Sequence, residues 1–206
     1  MLKMVFALMY DRINGPMEAA GMSLERQRLL AQARGATIEI GAGTGLNLAH
    51  YPDAVTRLVL VEPDRNMARR LRRRVAQTRP DAEILDATAA RLPFPDASFD
   101  TAVVTFVLCS VPDPDSALTE IARVLRPGGR LLFLEHVRSK DPAVAAKQDR
   151  RPLPYKVMGC HPNRHTLDTI AASPLLVEDV RHGEVPKAPS IERPMIVGTA
   201  CLREAG

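Results

Sequence analysis

The sequence predicts a doubly wound α/β fold, in which a mostly parallel sheet carries helices on both faces. Two patterns support this prediction. Strand-like apolar runs alternate with helical patterns along most of the chain, and the fifth run is apolar at nearly every position, as a central parallel strand is. The length of 206 residues, with 46% hydrophobic and 25% charged residues, is that of an ordinary globular domain.

The core of the predicted sheet covers residues 36–137. Its strand-like runs lie at 36–41, 57–63, 82–87, 99–108 and 130–137. A glycine-rich stretch follows the first run and is expected to turn and open a helix. The helix predicted over 65–77 has one apolar face, and a later helix is expected to begin at the cap Asp113 and to end at Pro-Gly-Gly.

The segments outside this core have weaker patterns. Residues 1–34 are predicted to form an N-terminal helical cap, with a helix over 24–34. Residues 138–165, polar and rich in proline, are predicted to form an irregular lid inserted after the fifth strand. Residues 166–206 are expected to add a helix and an antiparallel pair of strands that closes the sheet. The whole chain, 1–206, is therefore predicted to be one domain.

The composition argues against several classes of function. Lys and Arg number 28 against 24 Asp and Glu, a formal charge of +4, and aromatic residues make up 4% of the chain with no Trp. Nucleic-acid binders combine stronger basic patches with aromatic stacking platforms, so no nucleic-acid partner is predicted. The arginine-rich helix after the second strand is interpreted as a solvated face. The opening run MLKMVFALMY is about half the length of a membrane span.

The cysteines, Cys109, Cys160 and Cys201, are odd in number and widely separated. This pattern predicts no disulfide framework and indicates a reduced, cytoplasmic protein. His161 follows Cys160, but these two residues with Cys109 lack a fourth ligand at a recognisable spacing. No metal site is therefore predicted.

The chemistry is concentrated in the turn after the first strand. Gly41, Gly43 and Gly45 alternate there, two residues after Glu39, and glycines allow a ligand to approach the backbone closely. A dinucleotide motif would place a further glycine where this chain has Leu46. The carboxylate of Glu39 would repel a pyrophosphate but attract an amino group or a sulfonium. The spacing therefore favours an aminoacyl-nucleoside ligand.

Acidic residues at the ends of the next two strands fit the same ligand. Glu62 lies about 20 residues after the first glycine, where an acid typically accepts hydrogen bonds from ribose hydroxyls. Asp86 and Ala87 follow the third strand, where a short acid can accept a hydrogen bond from an adenine amino group. The alternatives are a solvated acid for Glu62 and a helix cap for Asp86.

Together these features resemble the class I S-adenosylmethionine-dependent methyltransferases over about residues 36–137. The motifs that match are Glu39–Gly45, Glu62, Asp86-Ala87, Phe99-Asp100 and LRPGGRLLFLE at 125–135. The resemblance implies a Rossmann-like, mostly parallel sheet of seven strands with a reversed last strand. It also implies S-adenosyl-L-methionine as the cofactor and S-adenosyl-L-homocysteine as the product. The residues implied in cofactor binding are Glu39, Gly41, Ala42, Gly43, Gly45, Asn47, Glu62, Pro63, Asp86, Ala87 and Thr105.

The resemblance narrows to the thiol methyltransferase-like (methyltransferase-like protein 7) group and its small bacterial relatives. The stretches that resemble this group are YDRINGPME, GLNLAHYP, FVLCSVPDPDSALTEIARVLRPGGRLLFLEHV and GCHPNRHT. Eukaryotic members carry a longer hydrophobic N-terminal anchor, and its absence here leads us to expect a soluble enzyme. Their lid is rich in aromatic residues, whereas KQDRRPLPYKVMG contains only Tyr155.

The acceptor site is expected beside the carboxyl ends of the fourth and fifth strands. His136 ends the fifth strand and is the candidate general base for an acceptor that must lose a proton. A thiol, with a pKa of about 8.5, is partly ionised at neutral pH and needs no strong base. The candidate pocket residues are Tyr10, Cys109, Ser110, Cys160, His161 and Arg164.

Three functions remain open at this stage. The favoured one is a methyltransferase acting by in-line displacement on a small, apolar acceptor, with a thiol preferred. The second is a quinone or phospholipid methyltransferase, for which MLKMVFALMY and the arginine-rich helix would provide peripheral membrane contact. The third is a non-catalytic protein that binds S-adenosylmethionine. The sequence does not specify the methylated atom or the oligomeric state.

Overall fold

The computed structural model describes residues 2–150, 153 and 159–202, with side chains from residue 6 onward. Seven strands within these residues form one sheet in the order β3-β2-β1-β4-β5-β7-β6. The strands are β1 Gly35–Ile40, β2 Val55–Val61, β3 Glu83–Leu85, β4 Phe99–Thr105, β5 Leu125–His136, β6 Leu175–Glu184 and β7 Pro194–Leu202. Neighbours from β3 to β5 pair in parallel, whereas β7 runs antiparallel to both β5 and β6. The predicted sheet, with its reversed last strand, is confirmed.

Helices cover both faces of this sheet. The helices are α1 Leu2–Met17, a π-helical turn Glu18–Met22, α2 Ser23–Leu30, α3 Arg65–Thr78, α4 Pro114–Val124, α5 Pro142–Arg150 and α6 Thr166–Ala172. One apolar cluster joins α2 and α3 to one face of the sheet, and the other joins α4 and α6 to the opposite face. The inner strands β1, β4, β5 and β7 are mostly buried because helices cover both of their sides, and this explains their near-continuous apolar sequence.

The two best-defined helices begin where the sequence predicts. Asp64 caps α3 by accepting hydrogen bonds from the backbone N–H groups of Asn66, at 2.8 Å, and Met67, at 3.1 Å. Asp113 caps α4 in the same way, with Pro114 at the first helical position. These caps fix where the chain leaves β2 and β4, and so they define the carboxyl edge of the sheet.

Three local predictions are wrong, and two of them concern helices. The stretch after the glycine turn is expected from the sequence to open a helix, but it forms only a single 3₁₀ turn, Leu48–His50. The turn ends there because Pro52 restricts Tyr51 to an extended conformation. The predicted irregular lid contains α5, whose first N–H groups are capped by Asp141 and whose first residue is Pro142. Tyr155, the aromatic residue of the predicted lid, lies outside the described residues.

The fourth strand ends earlier than predicted, at Thr105, because Phe106 adopts a left-handed conformation with φ of 58°. This conformation turns the chain sharply at the carboxyl edge of the sheet, where ligands bind in open α/β folds. None of the helices in the described ranges is both long and apolar enough to cross a membrane.

Candidate active site

A cavity of about 500 Å³ opens at the carboxyl edge of the sheet, between α1 and the loops that follow β1, β2, β3 and β4. Its volume is within the roughly 300–1,000 Å³ typical of small-molecule sites. Its lining is mostly apolar, with Gly41, Gly43 and Glu62 on one side and Phe106 and Ser110 on the other. A much smaller cavity adjoins it at Gly41 and Gly43 and reaches Glu39.

The glycines of the turn are required by the backbone and by close packing. Gly41 has φ of 69°, and a Cβ added there would lie 2.6 Å from the side chain of Val107. Gly43 also has a positive φ, but a Cβ there would meet no atom within 4 Å and would project into open space beside the cavity. The turn therefore leaves a cradle that the glycine at 43 keeps free for a ligand.

Glu62 directly follows β2 and is held in place by two backbone groups. Its Oε2 accepts from the N–H of Gly43 at 2.7 Å, and its Oε1 accepts from the N–H of Asp64 at 2.8 Å. Burial raises the pKa of this carboxyl against the opposing effect of these two hydrogen bonds. Glu62 lines the cavity beside the glycine turn, and each of its oxygens keeps a lone pair that can accept a further hydrogen bond from a ligand.

Glu39 lies at the base of the smaller cavity and is 1% exposed. It accepts hydrogen bonds from Asn47 Nδ2 at 2.8 Å and from the Tyr51 hydroxyl at 2.7 Å. Burial raises its pKa to about 7, although these two donors and the charge of Arg26 favour the ionised form. A buried acid with this pKa is suited to receive a cationic group.

Arg26, on α2, is a site residue that the sequence analysis missed. Its guanidinium is 3% exposed and forms an ion pair with Glu18 at 3.0 Å. It also donates to Asn47 Oδ1 at 3.0 Å and to Thr105 Oγ1 at 3.1 Å, and it lines the smaller cavity. The chain separation between Arg26 and its partners explains why no local pattern reveals it.

Glu135 is a second missed residue. It is fully buried at the end of β5 and accepts hydrogen bonds from the backbone N–H groups of Val107, Leu108 and Cys109 at 2.8, 3.0 and 3.3 Å. Burial raises its pKa to about 7 against these three donors. Through these contacts Glu135 shapes the loop that forms one wall of the cavity.

The candidate acceptor residues divide into two groups. Tyr10 and Ser110 line the cavity, and burial raises the pKa of Tyr10 to about 12. The second group lies behind the loop that follows β4. There Arg164 donates to the backbone carbonyls of Leu108 and Val111, and the N–H of His161 donates to the carbonyl of Cys109 at 2.7 Å. This second group supports the cavity wall from outside.

His136 lies with this second group. Phe106 lines the cavity and stacks on the imidazole with ring centroids 4.3 Å apart, so His136 is separated from the cavity by one ring. Burial alone would lower the pKa of His136, but the hydrogen bond with Cys109 and nearby negative charges raise it overall. The contact with Cys160 and, to a smaller extent, burial raise the pKa of Cys109.

The remaining predicted cofactor residues lie in three places: in the main cavity, in the smaller cavity and outside both. Pro63 lines the main cavity, whereas Ala42, Asn47 and Thr105 line the smaller one. Gly45 packs below the turn against Leu48 and Leu71. Asp86 is exposed, and Ala87 packs on the apolar core, so this side of the cavity is lined by Thr88, Ala89 and Ala90 instead.

The chain is similar to known methyltransferases. A methyltransferase domain model matches residues 38–133. A demethylmenaquinone methyltransferase of Renibacterium salmoninarum is 30% identical over 166 residues, covering 71% of this chain and 68% of the relative. The chain belongs to the S-adenosylmethionine-dependent methyltransferase family. Members of this family use S-adenosylmethionine as methyl donor and release S-adenosylhomocysteine.

Other relatives differ in the acceptor that their names specify. Human thiol S-methyltransferase TMT1A is 29% identical over 178 residues, which cover 79% of this chain and 69% of the relative. Phosphatidylethanolamine N-methyltransferase of Cereibacter sphaeroides is 35% identical over 117 residues, which cover 55% of this chain and 57% of the relative. The chain thus spans little more than half the length of that curated relative.

The fold is also that of solved methyltransferases. A S-adenosylmethionine-dependent methyltransferase from Methanosarcina mazei superposes with a TM-score of 0.67 at 21% identity. The match covers 86% of this chain and 97% of that one. At this identity the similarity establishes the fold.

Proposed function

We propose that this protein transfers a methyl group from S-adenosylmethionine to a small, apolar acceptor, with a thiol preferred. The observation that carries the proposal is the continuous cavity, which has polar, fixed groups at the glycine turn and apolar walls beyond it. Such a site can hold a polar nucleoside at one end and an apolar acceptor at the other. The thiol preference rests on similarity to human TMT1A.

The residues at the polar end fit the cofactor. Glu62, fixed by two backbone N–H groups, would accept hydrogen bonds from the ribose hydroxyls. Gly43 would leave room for the nucleoside beside the backbone. Glu39 would balance the positive charge of the methionine part, and Arg26, which lines the same small cavity, would attract its carboxylate.

The bound cofactor supplies an electrophilic methyl group on a positively charged sulfur. The contribution of the chain is to orient the two reactants and to exclude water, and orientation alone can lower a barrier by roughly 7–11 kcal/mol. Phe106, Val107 and Val111 provide the apolar wall against which an acceptor would lie. His136 lies behind Phe106, and this position favours an acceptor such as a thiol, which needs no general base.

A panel of acceptors tests this proposal. Purified protein is incubated with S-adenosylmethionine and small thiols, phenols, quinones or phospholipid vesicles, and release of S-adenosylhomocysteine is measured. We expect turnover with apolar thiols and its loss in Glu62→Ala. The matched control is Glu83→Ala, because Glu83 is an exposed acid on β3 that pairs with Arg57 away from the cavity. Turnover of another class, with thiols inert, would refute the thiol preference.

A second candidate function is methylation of a phospholipid or quinone at a membrane surface. Helix α1 exposes Leu8, Met9 and Ile13, which are 52%, 40% and 49% accessible. A shallow groove beside Leu8 is lined by arginines of α3, among them Arg69 and Arg73. Apolar side chains next to cationic ones favour binding to an anionic bilayer.

Co-sedimentation with anionic vesicles tests this second function. The variant Leu8→Ser/Ile13→Ser should lose vesicle binding and turnover of a vesicle-borne acceptor, while its affinity for S-adenosylmethionine stays unchanged. Leu176→Ser is the control, because Leu176 is similarly exposed on β6. Failure of the wild-type protein to bind vesicles at low salt would exclude the surface mechanism.

A further inference from the structure

Three side chains with metal-ligating atoms meet behind the cavity wall. They are Cys109 after β4, His136 at the end of β5, and Cys160 in the segment before α6. The sulfur atoms of the two cysteines are 3.9 Å apart. His136 Nδ1 lies 3.6 Å from the Cys109 sulfur and 3.9 Å from the Cys160 sulfur.

These separations match the edges of a tetrahedron around zinc. With Zn–S of about 2.3 Å and Zn–N of about 2.05 Å, tetrahedral angles require S···S of about 3.8 Å and S···N of about 3.6 Å. The observed distances are 3.9, 3.6 and 3.9 Å. A metal ion could therefore bind the three atoms with shifts of a few tenths of an ångström.

We propose that Cys109, His136 and Cys160 bind one Zn²⁺ ion, with a fourth position left to an exogenous ligand. In the described ranges, the cluster contains these three potential ligands and no further Cys, His, Asp or Glu. Three protein ligands with one open position are typical of zinc sites that exchange a ligand, whereas structural sites have four.

The charges of the cluster favour a soft divalent ion. Two thiolates and a neutral imidazole carry two negative charges, which one Zn²⁺ ion neutralises. Cys109 is 1% exposed, and a neutral complex avoids the cost of burying an unbalanced charge there. Cys160 and His136 are partly exposed, so an ion and its fourth ligand have access from solvent.

Neighbouring residues already position the ligands. Glu135 accepts from the N–H of Cys109 at 3.3 Å, and the Cys109 carbonyl accepts from the N–H of His161 at 2.7 Å. Phe106 stacks on the imidazole of His136 and fixes the plane of the ring. Supporting contacts of this kind orient metal ligands in known sites. The bound ion would join the β4 loop, β5 and the 159–161 segment, and so brace the cavity wall.

No metal site is predicted from the sequence, because the histidine next to Cys160 along the chain is His161 and no fourth ligand has a recognisable spacing. The fold supplies His136 instead, from a strand end 24 residues before Cys160. That ligand comes from the pairing of β4 with β5, which brings the ends of the two strands together, and no spacing along the chain indicates it.

Cobalt substitution tests the proposal directly. Full-length protein without an affinity tag is reduced, freed of metal by a chelator, and titrated with Co²⁺ and then with Zn²⁺. We expect one equivalent of Co²⁺, a thiolate-to-cobalt charge-transfer band, tetrahedral visible bands, and displacement by Zn²⁺. Cys160→Ser and His136→Gln should weaken Zn²⁺ binding by about a hundredfold or more, because each removes a direct ligand.

The control variant is Cys201→Ser, because Cys201 is the remaining cysteine and lies on β7 outside the cluster. It should bind Co²⁺ and Zn²⁺ as the wild-type protein does. Circular dichroism of the metal-free variants verifies that each is folded. The proposal is refuted if reduced wild-type protein gives no thiolate-cobalt band, or if Cys160→Ser binds as tightly as wild type. A Cys109–Cys160 disulfide in a protein that binds no metal when reduced would refute it equally.

Discussion

The two sides of the cavity are built from contacts of different range. On the cofactor side, Glu62 and the glycine turn lie at the ends of adjacent strands, and the hydrogen bonds of Glu62 and Glu39 join residues 19 positions apart or fewer. On the acceptor side, the wall after β4 is held by Glu135, 26 to 28 positions away, and by Arg164, more than 50 positions away. The first side can therefore be inferred from local motifs, whereas the second depends on the completed sheet.

The largest expected effect is on the acceptor side. Glu135→Ala would leave three buried backbone N–H groups without an acceptor, and we expect the free energy of unfolding to fall by about 4 kcal/mol. Glu135→Gln keeps one acceptor oxygen and should lose about half as much. Chemical denaturation measures both. Equal stability of Glu135→Ala and wild type would mean that this carboxyl does not hold the wall.

On the cofactor side, a pair of glycine variants separates packing from binding. In Gly45→Ala the new Cβ would lie 2.7 Å from Leu48 and 2.8 Å from Leu71, both buried, at a φ of 86°. We expect a loss of about 2 kcal/mol in the free energy of unfolding.

Gly43→Ala is the matched variant, because its Cβ would meet open space. Its unfolding free energy should fall by only about 1 kcal/mol, the cost of the positive φ, while its affinity for S-adenosylmethionine falls about tenfold or more. Calorimetry and denaturation give the two values. The reverse pattern, with Gly43→Ala the less stable variant and binding intact, would contradict the cradle at the turn.

The range of the contacts along the chain determines how much of the structure could be predicted from sequence. The order of strands and helices follows from apolar periodicity, and the structure confirms the predicted helix start at residue 65 and the predicted cap Asp113. The placement of Glu62 follows from the strand pattern and the preceding glycines. The helix α5 was missed because Asp141 and Pro142, its start signals, lie in a stretch with little apolar periodicity.

The contacts of the acceptor side have no comparable signal. Gln148 of α5 is fully buried, and its Nε2 lies 3.0–3.1 Å from the carbonyl oxygens of Val137, Pro162 and Ile191, which share its two hydrogens. Its three acceptors come from separate segments, so the role of Gln148 exists only after β5 and β7 have paired. Arg26 is an exception on the cofactor side, because it also donates to partners 21 and 79 positions away, in the glycine turn and at the end of β4.

A smaller effect is expected in the pH dependence of cofactor binding. Burial raises the pKa of Glu39 to about 7, so part of the population is protonated below neutral pH. A cationic ligand binds the ionised form, and affinity should therefore rise as pH increases from about 6 to about 7.5, by up to about tenfold per unit. Burial has the largest effect on this pKa, the hydrogen bonds from Tyr51 and Asn47 and the charge of Arg26 lower it, and the charge of Glu62 raises it.

Glu39→Gln is the control for this titration. It keeps an oxygen for Asn47 but cannot ionise, so its affinity should change little across the same range. Isothermal calorimetry at several pH values gives the comparison. An identical pH profile in the variant and wild type would assign the titration to another group.

The smallest effect concerns the contact between the N-terminal cap and the cofactor side. Asp11 of α1 accepts from the Thr44 hydroxyl at 2.5 Å, and it pairs with Arg70 at 2.7 Å and with Arg74 at 3.1 Å. Because these groups are partly exposed, Asp11→Ala should lower the unfolding free energy by about 1 kcal/mol.

The contribution of Asp11 to the free energy of unfolding should also depend on pH. The Thr44 hydrogen bond and the two arginines lower the pKa of Asp11 despite its partial burial. The stabilisation is therefore present at neutral pH and is lost as pH falls through that lowered pKa. Thermal unfolding at several pH values should show the wild type and variant converging in acid, and a constant difference would contradict the assignment.

The most direct test of the account is the binding of S-adenosylmethionine to wild type and Glu62→Ala, measured by calorimetry. The carboxylate of Glu62 is fixed by Gly43 and Asp64 and faces the cavity, so it is the central cofactor residue of the proposal. We predict saturable binding by wild type and a loss of affinity of about a hundredfold or more in the variant, because two charge-assisted hydrogen bonds are removed. Equal affinity in a folded Glu62→Ala protein would contradict the account.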